Sequence, residues 1–232
     1  MLLRGRAKML LTELGKAVAI IRALPKSLYL NLRYFPLPVA MRCPVLVSHR
    51  THLVLLGGKL QLQEIRFGSV RVGFASNAFF HDDGVAPVWS VAGCVHLGRR
   101  VRLGPSSKLV CEDGARLEVS DGFEANAGFA LYCRNKVRIG QNVLASWNTT
   151  VMDSDWHHIT DMEGHIQNAP GYVEIGDHVW LGAEVMVLKN SYIPANSVVA
   201  ARTTYYGKFE GQNLLIGGNP PRVLKREIDW RT

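Results

Sequence analysis

Several things are scarce in this sequence, and each absence excludes something. There are four cysteines in 232 residues, Cys43, Cys94, Cys111 and Cys133, far apart and never as a CxxC pair. That excludes a disulfide scaffold and a cysteine-held metal ribbon. It reads as reduced, mostly buried thiols in a cytosolic protein. No stretch approaches the roughly 20 consecutive apolar residues needed to span a bilayer. Near the N-terminus Glu13, Lys16 and Arg22 interrupt the apolar residues and no small-residue cleavage site follows, so no secretory leader is read there. Acidic residues are outnumbered, 19 Asp+Glu against 27 Lys+Arg, for a formal net charge of +8. The excess predicts an anionic partner: a phosphate-bearing cofactor or substrate, an anionic membrane surface, or nucleic acid. The basic residues are dispersed, without an RNA-binding signature or zinc-finger spacing, which argues against nucleic acid.

What is present is a repeat. From Ile175 to Thr204 the chain reads in sixes: IGDHVW, LGAEVM, VLKNSY, IPANSV, VAARTT. Ile175, Leu181, Val187, Ile193 and Val199 open the hexads, and the fifth places are Val179, Val185, Ser191, Ser197 and Thr203. A strict period of six fits neither a helix, at 3.6, nor a lone amphipathic strand, at 2. It is the signature of a parallel β-helix, in which each hexad forms one short face of a coil. The opening residue points inward and the next is small at Gly176, Gly182 and Ala200, as a tight turn requires.

Around this run the chain divides into three parts: an N-terminal helical segment over 1–43, the solenoid over 44–206, and a tail over 207–232. Apolar residues at three- and four-residue spacing make 2–24 an amphipathic helix, which Pro25 is expected to end. Two readings of that helix stay open, packing on the body or a neighbouring subunit and peripheral contact with an anionic membrane. From Pro44 the text alternates in the manner of strands, with Gly57, Gly58, Gly68 and Gly73 as turn points, as in irregular first coils. Residues 76–90, with Asp82, Asp83 and Gly84, read as a loop. Hexads return at Leu97, Leu103 and Leu109, then in shifted frames at Leu117, Phe123 and Phe129 and at Ile139, Ala145 and Val151. They stop over MDSDWHHITDMEGHIQNAPGY and resume in phase at Ile175. The simplest account is a loop over about 153–172 extruded from a rigid scaffold, where site residues are usually carried.

Three pieces together resemble the hexapeptide-repeat acyltransferases: the perfect hexads, the DSDWHHI text from Asp153 to Ile159, and GGNPPRV from Gly217 to Val223. The resemblance covers about Leu97–Val223 and is nearest to the sugar O-acetyltransferases of capsule and lipopolysaccharide biosynthesis. It implies an all-β, left-handed parallel β-helix with an N-terminal amphipathic helix and a short C-terminal tail. The left hand comes from the resemblance alone, since crossover sterics by themselves favour the right. It further implies a cytoplasmic homotrimer, working in solution or at the inner face of the membrane. The implied activity is acetyl transfer from acetyl-CoA to a sugar hydroxyl of a cell-surface glycan or its precursor, with each site between two subunits.

A sugar hydroxyl is a poor nucleophile while protonated, and histidine can take its proton at neutral pH. The resemblance places that base at His157, with His158 as the neighbouring alternative. Asp155 and Asp153 are candidates to orient the base or meet the acceptor, or else simply cap turns. Ser146, Trp147 and Asn148 fall in the family's active-site coil and are candidate acceptor contacts. Trp180, Gly182 and Ala183 are placed beside the pantetheine arm of coenzyme A, with Ala200 and Ala201 further along. Lys189 and Arg222 are candidate phosphate partners, or else solvated surface charge. Three rivals are weighed against this reading. An N-acetyltransferase acting on an amino-sugar nucleotide shares fold, co-substrate and base. A zinc hydratase on the same solenoid needs converging histidines, and His157, His158, His165 and His178 lack the usual H-x4-H pair, so no metal is expected. A non-catalytic scaffold leaves the histidine loop and the GGNPP tail without a role.

Overall fold

The computed structural model describes residues 2–75 and 84–231, with side chains from residue 14 onward. The chain is a left-handed parallel β-helix of three faces, covered at its first coil by helix α1, Leu2–Tyr34. Each face is one sheet of short strands stacked coil upon coil. The first face runs from Val45–Val47 to Leu215–Gly217, the second from His52–Leu53 to Thr204–Tyr205, and the third from Lys59–Leu62 to Ser191–Ile193.

Register explains the repeat. Ile175 lies on the third face, Leu181 on the first, Val187 on the second, Ile193 on the third and Val199 on the first again. Each pairs with its counterpart one coil on: Leu181 with Val199, Val187 with Tyr205, Ile175 with Ile193. All five openers are buried, and so are the fifth-place residues from Val179 to Thr203. Two inward columns per face thus fill the prism, and burial of these stacked aliphatic residues is the main stabilising term. Gly182 is required by stacking. A Cβ there would lie 2.6 Å from the backbone nitrogen of Ala201 in the coil above.

The frame shifts have one location. In every coil from Leu97 onward, openers on successive faces are six apart at the third-to-first and first-to-second corners, as in Leu97, Leu103, Leu109 and Ile139, Ala145, Val151. Only the corner between the second and third faces varies: it holds the turns at 112–115 and 134–135 and the long loop after Met152. The frame read at Leu117, Phe123 and Phe129 needs correcting. Val119, Ala125 and Leu131 open that coil, and Leu117, Phe123 and Phe129 stand in fifth places. The two phenylalanines meet edge to face at 5.4 Å and fill the space that the small Ala125 leaves.

Helix α1 departs from expectation, for it continues through Pro25 to Tyr34. Proline removes one ladder hydrogen bond, but the next turns are tied to the first coil. Asn31 donates to the Val45 carbonyl at 2.7 Å and accepts from the Val45 N–H, while Ser27 exchanges hydrogen bonds with both backbone groups of Val47. Ser27 and Asn31, one helical turn apart and fully buried, therefore stand in for the missing neighbour of an edge strand. Lys26 caps the carbonyls of His49 and Thr51 at 2.5 and 2.8 Å. A short helix α2, Leu37–Ala40, leads into the first strand. The helix residues read from sequence as apolar before position 14 lie outside the described side chains. Of the loop expected over 76–90, residues 76–83 lie outside the description and Val88 already begins a strand.

The far end is closed differently. Leu215–Gly217 adds one more parallel strand, so the coil extends past residue 206, and the GGNPP turn folds Arg222–Lys225 back antiparallel upon it. Cys43, Cys111 and Cys133 are buried, Cys94 is exposed, and all four are free. No helix among the described residues is long and apolar enough to cross a membrane.

Candidate active site

The candidate residues gather at two different corners. Asp153 begins the extruded loop and is wholly buried. Its carboxylate accepts from the backbone N–H groups of Arg134 and Asn135 at 2.8 and 2.9 Å, capping the same corner of the coil below. Of the two roles left open for it, the structure gives it the turn cap. Trp156 follows in the left-handed region at φ 64, where a compact corner is needed. Its ring meets Tyr132 edge to face and lies under the guanidinium of Arg134, which also donates to the Trp156 carbonyl.

Asp155 and Lys189 fasten the loop. Lys189 donates to Asp155 Oδ2 at 2.5 Å and to the carbonyls of Asn168 and Ala169, and so joins both arms to the coil above. Asn168 closes the remaining gap, donating to Asp155 Oδ2 and the His157 carbonyl and accepting from the Ile159 N–H. The ammonium of Lys189 and the amide of Asn168 hold the Asp155 carboxyl below its usual value. The expectation that Lys189 meets coenzyme A phosphates is thus not what the chain displays, since its charge is spent on Asp155. Asp155 in turn does not touch an imidazole. Its backbone carbonyl accepts from the His157 N–H at 2.7 Å, which tightens the turn instead. The loop's tip is held by Asp161, which accepts from the Glu163 and His165 N–H groups.

His157 and His158 are both exposed on this fastened loop, and neither ring makes a hydrogen bond among the described residues. Asp161, Glu163 and His165 form an exposed group near the tip, with one another's ligand atoms within 4.8 Å. The Asp161 carboxylate is already engaged by backbone donors.

The other corner lies between the first and second faces. Ser146, Trp147 and Asn148 turn it in one coil, Gly182 and Ala183 in the next, Ala200 and Ala201 in the third. The Trp147 carbonyl accepts from the Glu184 N–H and the Ala183 carbonyl from the Arg202 N–H, coil upon coil. Asn148, at φ 56, lays its side chain over Gly128. Trp180 donates from its indole to Ser146 Oγ at 3.0 Å and remains 37% exposed. The GGNPP hairpin sits on this column: Gly218 N–H donates to Thr203 Oγ1, and Arg222 is exposed without an ion pair among the described residues. The chain thus builds a ledge of small residues, with Trp180 at one end and Arg222 at the other. The whole second face separates it from the histidine loop of the same protomer.

Sequence reasoning missed the clamp made by Asn168, Arg134 and Trp156, and it missed Trp230. The Trp230 ring stacks on His178 at 4.4 Å and donates to the His178 carbonyl, pinning the tail beside Trp180. A polar residue late in the DSDWHHI loop was the available signal for Asn168. Trp230 had none.

No family model matches the chain. Two curated proteins resemble it over about half its length. A putative acetyltransferase of Saccharomyces cerevisiae, YJL218W, is 30% identical over 118 residues, 50% of this chain and 59% of that protein. The galactoside O-acetyltransferase of Escherichia coli is 32% identical over 120 residues, 51% and 57% of the two chains. The match therefore spans a little under three fifths of these relatives. Among solved structures, the polysialic acid O-acetyltransferase OatWY superimposes with a TM-score of 0.50 at 22% identity, over 78% of this chain and 90% of that one. The chain shares the left-handed β-helix fold of that structure, and over about half its length its sequence is similar to proteins named as acetyltransferases. In a repetitive coil, site residues are usually carried where the repeat is interrupted or ends. Here those places are the histidine loop and the ledge under the GGNPP hairpin.

Proposed function

We propose that the chain is an acetyl-CoA-dependent O-acetyltransferase acting on a sugar hydroxyl of a cell-surface glycan or its precursor, with His157 as general base. The observation that carries this is the His157 ring: exposed, free of hydrogen bonds among the described residues, and borne on a loop fastened by Asp155, Lys189 and Asn168. A base needs a free ring nitrogen and a fixed position. The relative named galactoside O-acetyltransferase is in keeping with a hydroxyl acceptor.

The ledge fits coenzyme A in part. Gly182, Ala183, Ala200 and Ala201 project little beyond the backbone, so an extended arm can approach it, and beside it Arg222 is a cation without an ion pair among the described residues. The coenzyme A thioester supplies the acyl group. His157 removes the hydroxyl proton as the sugar oxygen bonds to the thioester carbonyl carbon, then returns that proton to the departing sulfur. Because loop and ledge lie on either side of the second face, the site is assembled between two copies, the loop of one against the ledge of the next, in a homotrimer.

The test is incubation with labelled acetyl-CoA and a panel of hydroxy and amino sugars, free and nucleotide-linked. Label on a hydroxyl, lost roughly 10²-fold or more in His157→Ala but retained in His158→Ala, is the expected result. Label confined to amines transfers the reading to N-acylation. Undiminished transfer by His157→Ala removes the base.

A further inference from the structure

The outer side of the first face carries a second feature, remote from the histidine loop. Leu46, Arg71, Arg102, Glu124, Leu144 and Trp180 follow one another there as register neighbours. Two adjoining cavities of about 730 and 740 Å³ lie over this column and share Arg102 and Glu124. One is closed at its end by Trp230 and His178, the other along its side by α1 at Ala17 and Ile20.

Among the described residues, the charges lining this groove are not balanced. Arg71 and Arg102 occupy adjacent rungs of a parallel sheet, which lie about 4.8 Å apart, and Arg100 lines the same groove. None of the three makes an ion pair among the described residues. Arg102 uses one nitrogen, donating to the neutral carbonyls of Ser69 and Val101 at 2.8 and 3.0 Å. Burial, and then the charge of Arg71, lowers its proton affinity. The Nε of Arg71 is buried and has no hydrogen-bond partner among the described residues. A fold that gathers like charges and leaves a buried donor unsatisfied is destabilised by both, unless an oxyanion supplies what is missing. The nearby carboxylate of Arg231's partner, Asp229, is already engaged at 3.4 Å, and among the described residues lining the cavities Glu124 is the acid that makes no ion pair.

We propose that this groove binds an acidic saccharide, its carboxylate or phosphate oxygens on the guanidinium groups of Arg71, Arg102 and Arg100. Guanidinium forks match both oxyanions. Two adjoining cavities of this size hold several sugar rings rather than one ion, and Asn142 and Glu124 offer donors and acceptors to hydroxyls. The arginine geometry stands by itself. The choice of a saccharide over another acid rests on the transferase reading.

Binding is measured directly on the full chain by calorimetry at low salt, so the result does not depend on turnover. The probes are trigalacturonate, maltotriose, glucose 1-phosphate and inorganic phosphate. Trigalacturonate or glucose 1-phosphate is expected to bind, whichever oxyanion the groove prefers, and maltotriose is not. Arg71→Gln, checked for an unchanged melting temperature, is expected to weaken binding roughly tenfold. Glu124→Gln removes the opposing charge and is expected to tighten binding several-fold, an outcome that misfolding cannot imitate. Equal binding of maltotriose, affinities unmoved by both substitutions, or inorganic phosphate binding as tightly as either acidic sugar would each overturn the proposal. Loss of the groove leaves the His157 assay untouched, so the two readings fail separately.

Discussion

Lys189 illustrates how little a residue's type says about its partner. Read from the sequence it is a candidate phosphate partner, yet it lies at the corner of the histidine loop and its ammonium reaches Asp155 and two loop carbonyls. The consequence is a pH window. The Asp155 carboxyl is held below its usual value by Lys189 and then Asn168, so the folded state keeps it ionised more readily than the unfolded chain does. A depressed carboxylate stabilises above the unfolded pKa, about 3.9, and that contribution fades as pH falls through the folded value. Hydrogen exchange at amides 155–168 corrected for intrinsic rates should therefore be steady from mild acid to neutrality and accelerate only at strongly acidic pH. Lys189→Met should accelerate it throughout the range, and a loop equally protected in that variant would show that the pair does not fasten it. Because the His157 carbonyl shares the Asn168 clamp, Lys189→Met should also lower transfer without removing it, by roughly tenfold if positioning is the only loss.

Elements show where the repeat was legible and where it was not. Each inward position recurs on three faces, so Ile175 to Val199 are legible in the sequence itself, and the interruption after Val151 marks the loop. Phe123 and Phe129 misled because a large residue was taken for an opener, whereas Ala125 opens that hexad and the rings fill its deficit. Helix α1 misled at Pro25, because local propensity was outweighed by bonds to residues 20 and more positions away. The clamp of Asn168 and Arg134 has no local pattern at all; it exists only once the corners stack. Two substitutions test the scale. Asn31→Leu leaves the N–H and carbonyl of Val45 buried without partners and should lower the unfolding free energy by about 2–3 kcal/mol in denaturant titration. Gly182→Val forces a side chain against the backbone of Ala201, and should broaden or abolish a cooperative transition that Ala183→Ser leaves in place.

At the scale of the whole molecule, the transferase proposed above makes a demand on the corners that one protomer does not meet. The loop leaves the second-to-third corner and the ledge stacks on the first-to-second, so a proton acceptor and a thioester held at those places face away around the coil. In the homotrimer proposed above, a heterologous interface that closes after three copies would set every loop against a neighbour's ledge. That geometry is testable by mixing. His157→Ala spoils each loop and keeps the ledge, whereas Ala201→Trp blocks each ledge and keeps the loop. Each variant alone should be inactive. Unfolded together in equal amounts and refolded, they should regain about a quarter of the wild-type rate, because at random a sound loop meets a sound ledge at one interface in four. Light scattering of the mixture gives the mass of three chains on the same reading. A site contained within one protomer instead leaves the mixture as inactive as its parts, since no chain in it carries both a sound loop and a sound ledge.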